Sequence, residues 1–126
     1  MNLSPIRDYI AASSNMIVGR DLFVYSMPAT VKRGVLLVTE SAGNHVLHET
    51  PGAFEGRYQI IVRDPDYEKG YARAEEMFDM LNLIEMDLTT YVVTYSRPRH
   101  TPLPFSRSSG DLIEFSINFD FRYRIS

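Results

Sequence analysis

The stretch DLIEFSINFDFRYRIS, residues 111–126, alternates more strictly than any other part of this 126-residue chain. Every odd position from Ile113 to Ile125 is Ile, Phe or Tyr: Ile113, Phe115, Ile117, Phe119, Phe121, Tyr123 and Ile125. Every even position between them is polar: Glu114, Ser116, Asn118, Asp120, Arg122 and Arg124. Successive side chains of a β-strand point to opposite faces, so the pattern predicts a strand with one buried face. At about 3.3 Å per residue it would run about 45 Å. A compact domain of this length is narrower than that. The strand is therefore expected to outrun its own sheet near Arg122 and Arg124, which makes that end the first candidate for a subunit contact.

Upstream of this strand the elements follow from local chemistry. Ser4 is expected to cap a short helix from Pro5 to about Ser13, because proline has no N–H to lose in a first helical turn. DLFVYSMPA is β-like and stops at Pro28. GVLLVTES and HVLHET flank AGN, where Gly43 and Asn44 can take positive φ, and this predicts a hairpin or a tight corner. TPGAFEG reads as loop. RYQIIVRD reads as a strand with Tyr58, Ile60 and Val62 on one face, and Ile61 on the other suggests burial on both sides.

A helix over about 64–82 follows at once. Asp64 is expected at its N-cap, with Pro65 first inside and Asp66 and Glu68 beside the positive end of the helix dipole. Tyr67, Tyr71, Ala74, Phe78 and Leu81 recur at spacings of three and four, with Met77 beside them, so one face is apolar. Gly70 costs about 1 kcal/mol against alanine in a helix but does not break this pattern. TTYVVTYS is one more β-branched, aromatic run. RPRHTPLPFSRSSG, at about 97–110, carries three prolines, three serines and three arginines and is expected to be an irregular loop. The order predicts a single α+β domain over residues 1–126. Its sheet is expected to be mostly antiparallel, packed by one main amphipathic helix and a short N-terminal helix, with a long C-terminal strand.

Composition narrows the classes of function. With 44% hydrophobic and 23% charged residues the chain can build a core, so global disorder is not expected. It contains no cysteine, which excludes disulfides and cysteine-ligated metals. No apolar run reaches the 18 or so residues that a membrane helix needs, and the N-terminus lacks the basic and apolar regions of a secretory signal. Cytosolic synthesis and no membrane partner are expected. Residues 1–96 carry 8 basic and 13 acidic side chains, and residues 97–126 carry 5 and 3, within a net charge of −3. Such polarity can orient assembly partners but is too weak to signal specific nucleic-acid binding.

No constellation suggests catalysis. His45 and His48 would point to opposite faces of a strand, and no third ligand is in view, so no metal and no cofactor are expected. The carboxylates of the 64–82 helix read as its solvated face. Phosphate-binding glycine loops and a nucleophile elbow are both absent from the sequence. Two features stand above this background. Arg97, Arg99 and Arg107 lie in and after the proline-rich segment, and Arg122 and Arg124 on the polar face of the last strand. They fit a solvated loop plus charges that guard an edge strand, and equally an arm that orders against an acidic partner. The second feature is the aromatic load, 8 Tyr and 7 Phe, which serves a core and also, with arginine, suits protein interfaces. Phe119 and Tyr123 are the aromatic candidates for such a contact.

The succession LFVYSMP, GVLLVTESAGNHVLHETPG, GRYQIIVRDPDYEKGYARAEEMFDML and SINFDFRYRI resembles the small tail-terminator (tail-completion, minor capsid) proteins of long-tailed bacteriophages. The most specific piece is the strand-to-helix unit from Tyr58 to Leu81, and Ser116, Asn118 and Phe119 add to it. The resemblance implies a non-enzymatic virion protein at the head-proximal end of the tail. It implies a homo-hexameric ring that caps the tail tube, ends its polymerisation and offers a surface to the head–tail connector proteins. DNA would pass that ring without specific binding. The alternative left by the residues alone is a small monomeric or dimeric α+β module that binds a ligand or peptide.

Overall fold

The alternating C-terminal segment forms one strand, Ile113–Arg124, and a second strand of the same twelve residues' length, Ala53–Asp64, pairs with it antiparallel throughout. The register runs without a break from Ala53↔Arg124 to Asp64↔Ile113. The computed structural model describes residues 2–39, 44–106 and 112–125. Its elements in chain order are α1 (Ser4–Ala12), β1 (Leu22–Val24), β2 (Gly34–Thr39), β3 (His45–Val46), β4 (Ala53–Asp64), α2 (Tyr67–Met80), β5 (Leu83–Asp87), β6 (Val92–Pro98), β7 (Leu103–Ser106) and β8 (Ile113–Arg124). The eight strands make one sheet in the order β1-β2-β4-β8-β6-β5. β3 lies in line with β2 on one side of β4, and β7 in line with β6 on one side of β8. Only the β1–β2 pair is parallel among the pairings of the described strands.

β8 is thus a central strand, and the expectation that it outruns its sheet is corrected. β4 flanks it on one side along its full length, while β7 covers residues 113–116 and β6 covers 119–124 on the other. The missing length was in β4. TPGAFEG reads as loop because of its Pro and Gly residues, yet Gly52 takes φ +80° to make the turn and the strand starts at the next residue. Gly56 stands inside β4 because the Asn44 side chain lies directly over it, and Asn44 Nδ2 donates to the Tyr123 hydroxyl at 2.9 Å.

The odd residues of β8 form the core as expected. Phe115, Ile117, Phe119 and Phe121 are fully buried with Tyr58, Ile60 and Val62 from β4 and Leu37 from β2. Both helices cover this inner face. α2 presents Gly70, Ala74 and Met77 to it, with the buried Leu81 at its C-cap, so its buried stripe is narrower than the aromatic face in the sequence suggests; Tyr67 stays half exposed. Tyr67 and Tyr71 instead meet Phe115 edge-on at 5.3 and 5.9 Å. Gly70 is not a tolerated defect. A Cβ there would lie 2.5 Å from Phe115 Cε1, so the glycine allows the helix to sit against β8.

Several local expectations are corrected. Ser4 lies within α1, and its N–H is taken by the Asn2 side chain at 3.0 Å. Asp66, not Asp64, caps α2 by accepting from the Glu68 N–H at 3.0 Å. Asp64 ends β4 as a buried carboxylate that accepts from the Asp66 N–H at 2.8 Å and pairs with Arg33 at 2.8 Å. β2 and β3 do not pair with each other as a hairpin; both run antiparallel to β4 on its same side, and residues 40–43 between them lie outside the described residues. The 97–110 segment is not irregular throughout, because β6 runs to Pro98 and Leu103–Ser106 forms β7. Proline is accepted there because β7 is an edge strand.

Candidate functional site

The even residues of β8 lie on the sheet face that carries no helix. From the register, one row across it reads Glu55, Arg122, Tyr95 and Ile84, and the next reads Arg57, Asp120 and Arg97. A third holds Gln59, Asn118 and the chain just past β6, where the Arg99 N–H donates to Asn118 O at 2.8 Å. Asp120 is the centre of this group. Arg57 Nε lies 3.3 Å from its Oδ1 and Arg99 Nε 3.6 Å from the same oxygen. Arg97 stands opposite Asp120 in the ladder, but its guanidinium lies 3.9 Å over the ring of Tyr95.

Four arginines, Arg57, Arg97, Arg99 and Arg122, therefore share the surface with two carboxylates, Asp120 and Glu55, in a chain of net charge −3. Guanidinium groups stay charged and donate in a planar fork that matches carboxylate or phosphate oxygens. Such a surface has the chemistry to bind acidic groups.

The residues expected at an interface separate into two sets. Arg97, Arg99 and Arg122 share the arginine patch. Arg124 lies at its margin and is held by Glu85, with Nη2–Oε2 2.8 Å and Nη1–Oε1 3.2 Å, and by Thr94 Oγ1 at 3.3 Å. The hydrogen bond raises the pKa of Arg124 and lowers that of Glu85, desolvation works against both shifts, and Coulomb attraction adds to them. Arg107 lies outside the described residues. Phe119 and Tyr123 belong to the inner face. Phe119 stacks on Tyr58 at 4.9 Å, and Tyr123 stacks on Phe54 at 5.3 Å, so in this chain both are core. Arg57 was missed. Its place opposite Tyr58 on an alternating strand put it on the polar face, but only the β4–β8 register brings it to Asp120.

His100 supports this surface from the break between β6 and β7. Its Nδ1 lies 2.7 Å from Thr101 O, and its Nε2 lies 3.3 Å from the Asn118 backbone N and 3.1 Å from Asn118 Nδ2. With Nδ1–H donating to the carbonyl, Nε2 is the acceptor for the strand N–H that no ladder carbonyl reaches. His45, on β3, is exposed and His48 follows in a turn, so the two do not converge. Among the described residues no group of three His, Asp or Glu side chains is placed to hold a metal. A cleft of about 400 Å³ lies between α2 and strands β2 and β4, lined by Asp21, Arg33, Lys69, Arg73 and Glu76 among others. Its charges are largely paired with one another, Arg33 with Asp64 and Arg73 with Glu76. No helix among the described residues is long and apolar enough to cross a membrane.

The sequence matches the family model described as bacteriophage tail terminator protein over residues 9–125. No curated protein matches it. Among solved structures, a chain of the virion of a native gene transfer agent particle superimposes with a TM-score of 0.65 at 14% identity, covering 84% of this chain and 80% of its own. A second solved chain covers 100% of this one and 96% of its own, with a TM-score of 0.50 and 13% identity. At these identities the two likenesses concern the fold.

Proposed function

This chain belongs to the bacteriophage tail terminator proteins, and from that premise, with a structural role in the tail, we propose that it forms a homo-hexameric ring on the head-proximal end of the tail tube. The ring ends polymerisation of the tube and presents the surface to which head–tail connector proteins join. It is built in the host cytoplasm, acts by shape and charge without catalysis, and lets DNA pass without specific binding.

The observation that carries this reading is the open, arginine-bearing face of the sheet, built around the central strand β8, which β4 flanks along its full length and β6 and β7 flank in part. Arg97, Arg99, Arg107, Arg122 and Arg124 are the proposed contacts to an acidic surface of the last tube ring or the connector. Charged patches of this type guide encounter and fix orientation. Phe119 and Tyr123 serve the contact by holding the strand that displays Arg122 and Arg124. Replacing Arg97, Arg99 and Arg107 by Ser should leave the thermal midpoint nearly unchanged and reduce head–tail joining in a complementation assay. Undiminished joining would remove the arginine contact from the account.

A further inference from the structure

The open face of the sheet carries an apolar row as well as its arginines. The register sets Phe23 of β1 beside Leu36 of β2, and Leu36 beside Ile61 of β4. Ile61 stands beside Ser116 of β8, and Ser116 beside Leu103 of β7. Partners in a ladder point to one face, and Ser116 shares its face with Asp120. Phe105 follows on that face, two residues along β7. Leu103 is 59% and Phe105 43% exposed, and Phe23, Leu36 and Ile61 are half-buried. With strands about 4.8 Å apart, the row spans about 19 Å. Single exposed apolar side chains are ordinary, but a row across five neighbouring strands on a face without a helix marks a contact site.

The row has a different neighbour on each side. On one side lies the buried pair of Arg63 and Glu114, with Nε–Oε2 3.0 Å, and Arg63 also donates to Pro28 O and Val31 O. Those charges are satisfied within the chain. On the other side come the neutral Gln59 and Asn118, then Arg57, Asp120 and Arg97, and beyond them Arg122. Four residues of β8 separate Ser116 from Asp120, a distance of about 14 Å. Arg57 and Arg99 share the one Asp120 carboxylate. Arg97 and Arg122 form no ion pair among the described residues: Arg97 lies over the Tyr95 ring, and Arg122 is the ladder partner of Tyr95. The face therefore runs from an apolar band through a neutral one to a band with uncompensated positive charge.

We propose that this face binds one amphipathic, acidic segment of a partner protein, laid along the strands. Its apolar side chains cover Leu36, Ile61, Leu103 and Phe105, and its carboxylates, about 14 Å further on, pair with Arg97 and Arg122. A helical segment meets that spacing with about nine residues between the two groups, an extended one with about four. The uncompensated arginines select an acidic occupant and fix its direction, and the apolar row supplies most of the hold. The inference rests on the partner contact proposed above and names the chemistry of that partner.

Three variants test it, each verified as folded by circular dichroism. The first carries Leu103→Ser and Phe105→Ser, both at exposed positions of an edge strand. The second, Leu103→Met with Phe105→Leu, keeps the row apolar, and the third carries Arg97→Ser and Arg122→Ser. Co-sedimentation with tail tubes and, separately, with connector-bearing heads is measured at about 0.1 M and about 1 M salt, where charges are screened over about 10 Å and about 3 Å. The first variant should bind about tenfold or more weakly at both salt concentrations, and the second should bind as wild type. The third should lose about tenfold at low salt and little at high salt. A first variant that binds as wild type overturns the amphipathic partner and leaves the arginine contact standing. Where wild-type rings form in solution, their loss in the first variant by native mass spectrometry assigns the row to a second copy and overturns the proposal as well. A wild type that sediments with neither tubes nor heads removes the partner contact itself.

Discussion

Replacing Gly70 by alanine sets two opposing effects on one residue of α2. Alanine favours a helix over glycine by about 1 kcal/mol. Against this, its methyl would lie 2.5 Å from Phe115 Cε1, 3.1 Å from Phe115 Cδ1 and 3.0 Å from Asp64 Cβ. Neither neighbour is free to retreat. Phe115 is fully buried with the edges of Tyr67 and Tyr71 against it, and Asp64 is held by Arg33 and by the N–H of Asp66. Overpacking of a filled core costs about 1–3 kcal/mol, and a 2.5 Å approach belongs at the upper end of that range. The expected net loss is about 1–2 kcal/mol, or about 4–8 °C in thermal midpoint for a chain of this length. Urea unfolding at neutral pH measures it directly. Combining Gly70→Ala with Phe115→Leu should recover about 1 kcal/mol or more relative to the sum of the single variants. A Gly70→Ala protein more stable than wild type, with additive behaviour in the double variant, would refute the close-contact reasoning.

Tyr58→Phe removes the partner of Ser96, whose Oγ lies 2.6 Å from the Tyr58 hydroxyl and is buried. A loss of about 1–2 kcal/mol in urea unfolding is expected, and an unchanged midpoint would show that the bond contributes nothing net. His100→Leu takes the acceptor from the Asn118 backbone N–H and should cost about 1–3 kcal/mol; amide exchange at Asn118 should accelerate, and an unaltered rate would contradict the role given to Nε2. Alkaline pH supplies a further test. Burial raises the Tyr58 and Tyr91 hydroxyls above the ordinary value of 10.0, while Ser96 opposes the shift at Tyr58. Unfolded tyrosines lose their protons first as pH passes about 10, so stability holds below that value and falls above it. A urea midpoint that stays constant from pH 9 to pH 11 would contradict the burial of both hydroxyls.

The terminal strand, the inner face and the main helix were legible because each has a period that backbone geometry imposes. The strand pairings were not, because they rest on single residues. Gly52 starts β4 earlier than TPGAFEG suggests, and that one difference turns β8 from a strand too long for its sheet into a fully matched central one. β5 escaped notice because LIEMD does not alternate: Glu85 adopts φ +49° and Ile84 faces solvent. β7 was hidden by its prolines, which an edge strand accepts. Gly70 showed its purpose only once Phe115 was seen beneath it. Of the candidate surface, the arginines were visible in the sequence, but Arg57 and the central Asp120 contact required the register between two strands about fifty residues apart. Phe119 and Tyr123 carried the alternation signal of a core residue all along, and the structure gives them that role.

The central claim is that this chain stops a growing tail tube by seating a ring on its end. Tail-tube protein polymerised with and without the purified chain, then viewed by electron microscopy, tests it most directly. The account predicts tubes that end in a six-fold ring at one tip and cease to lengthen once it is present. Tubes that bear no ring and grow equally long in the presence of the chain would contradict it.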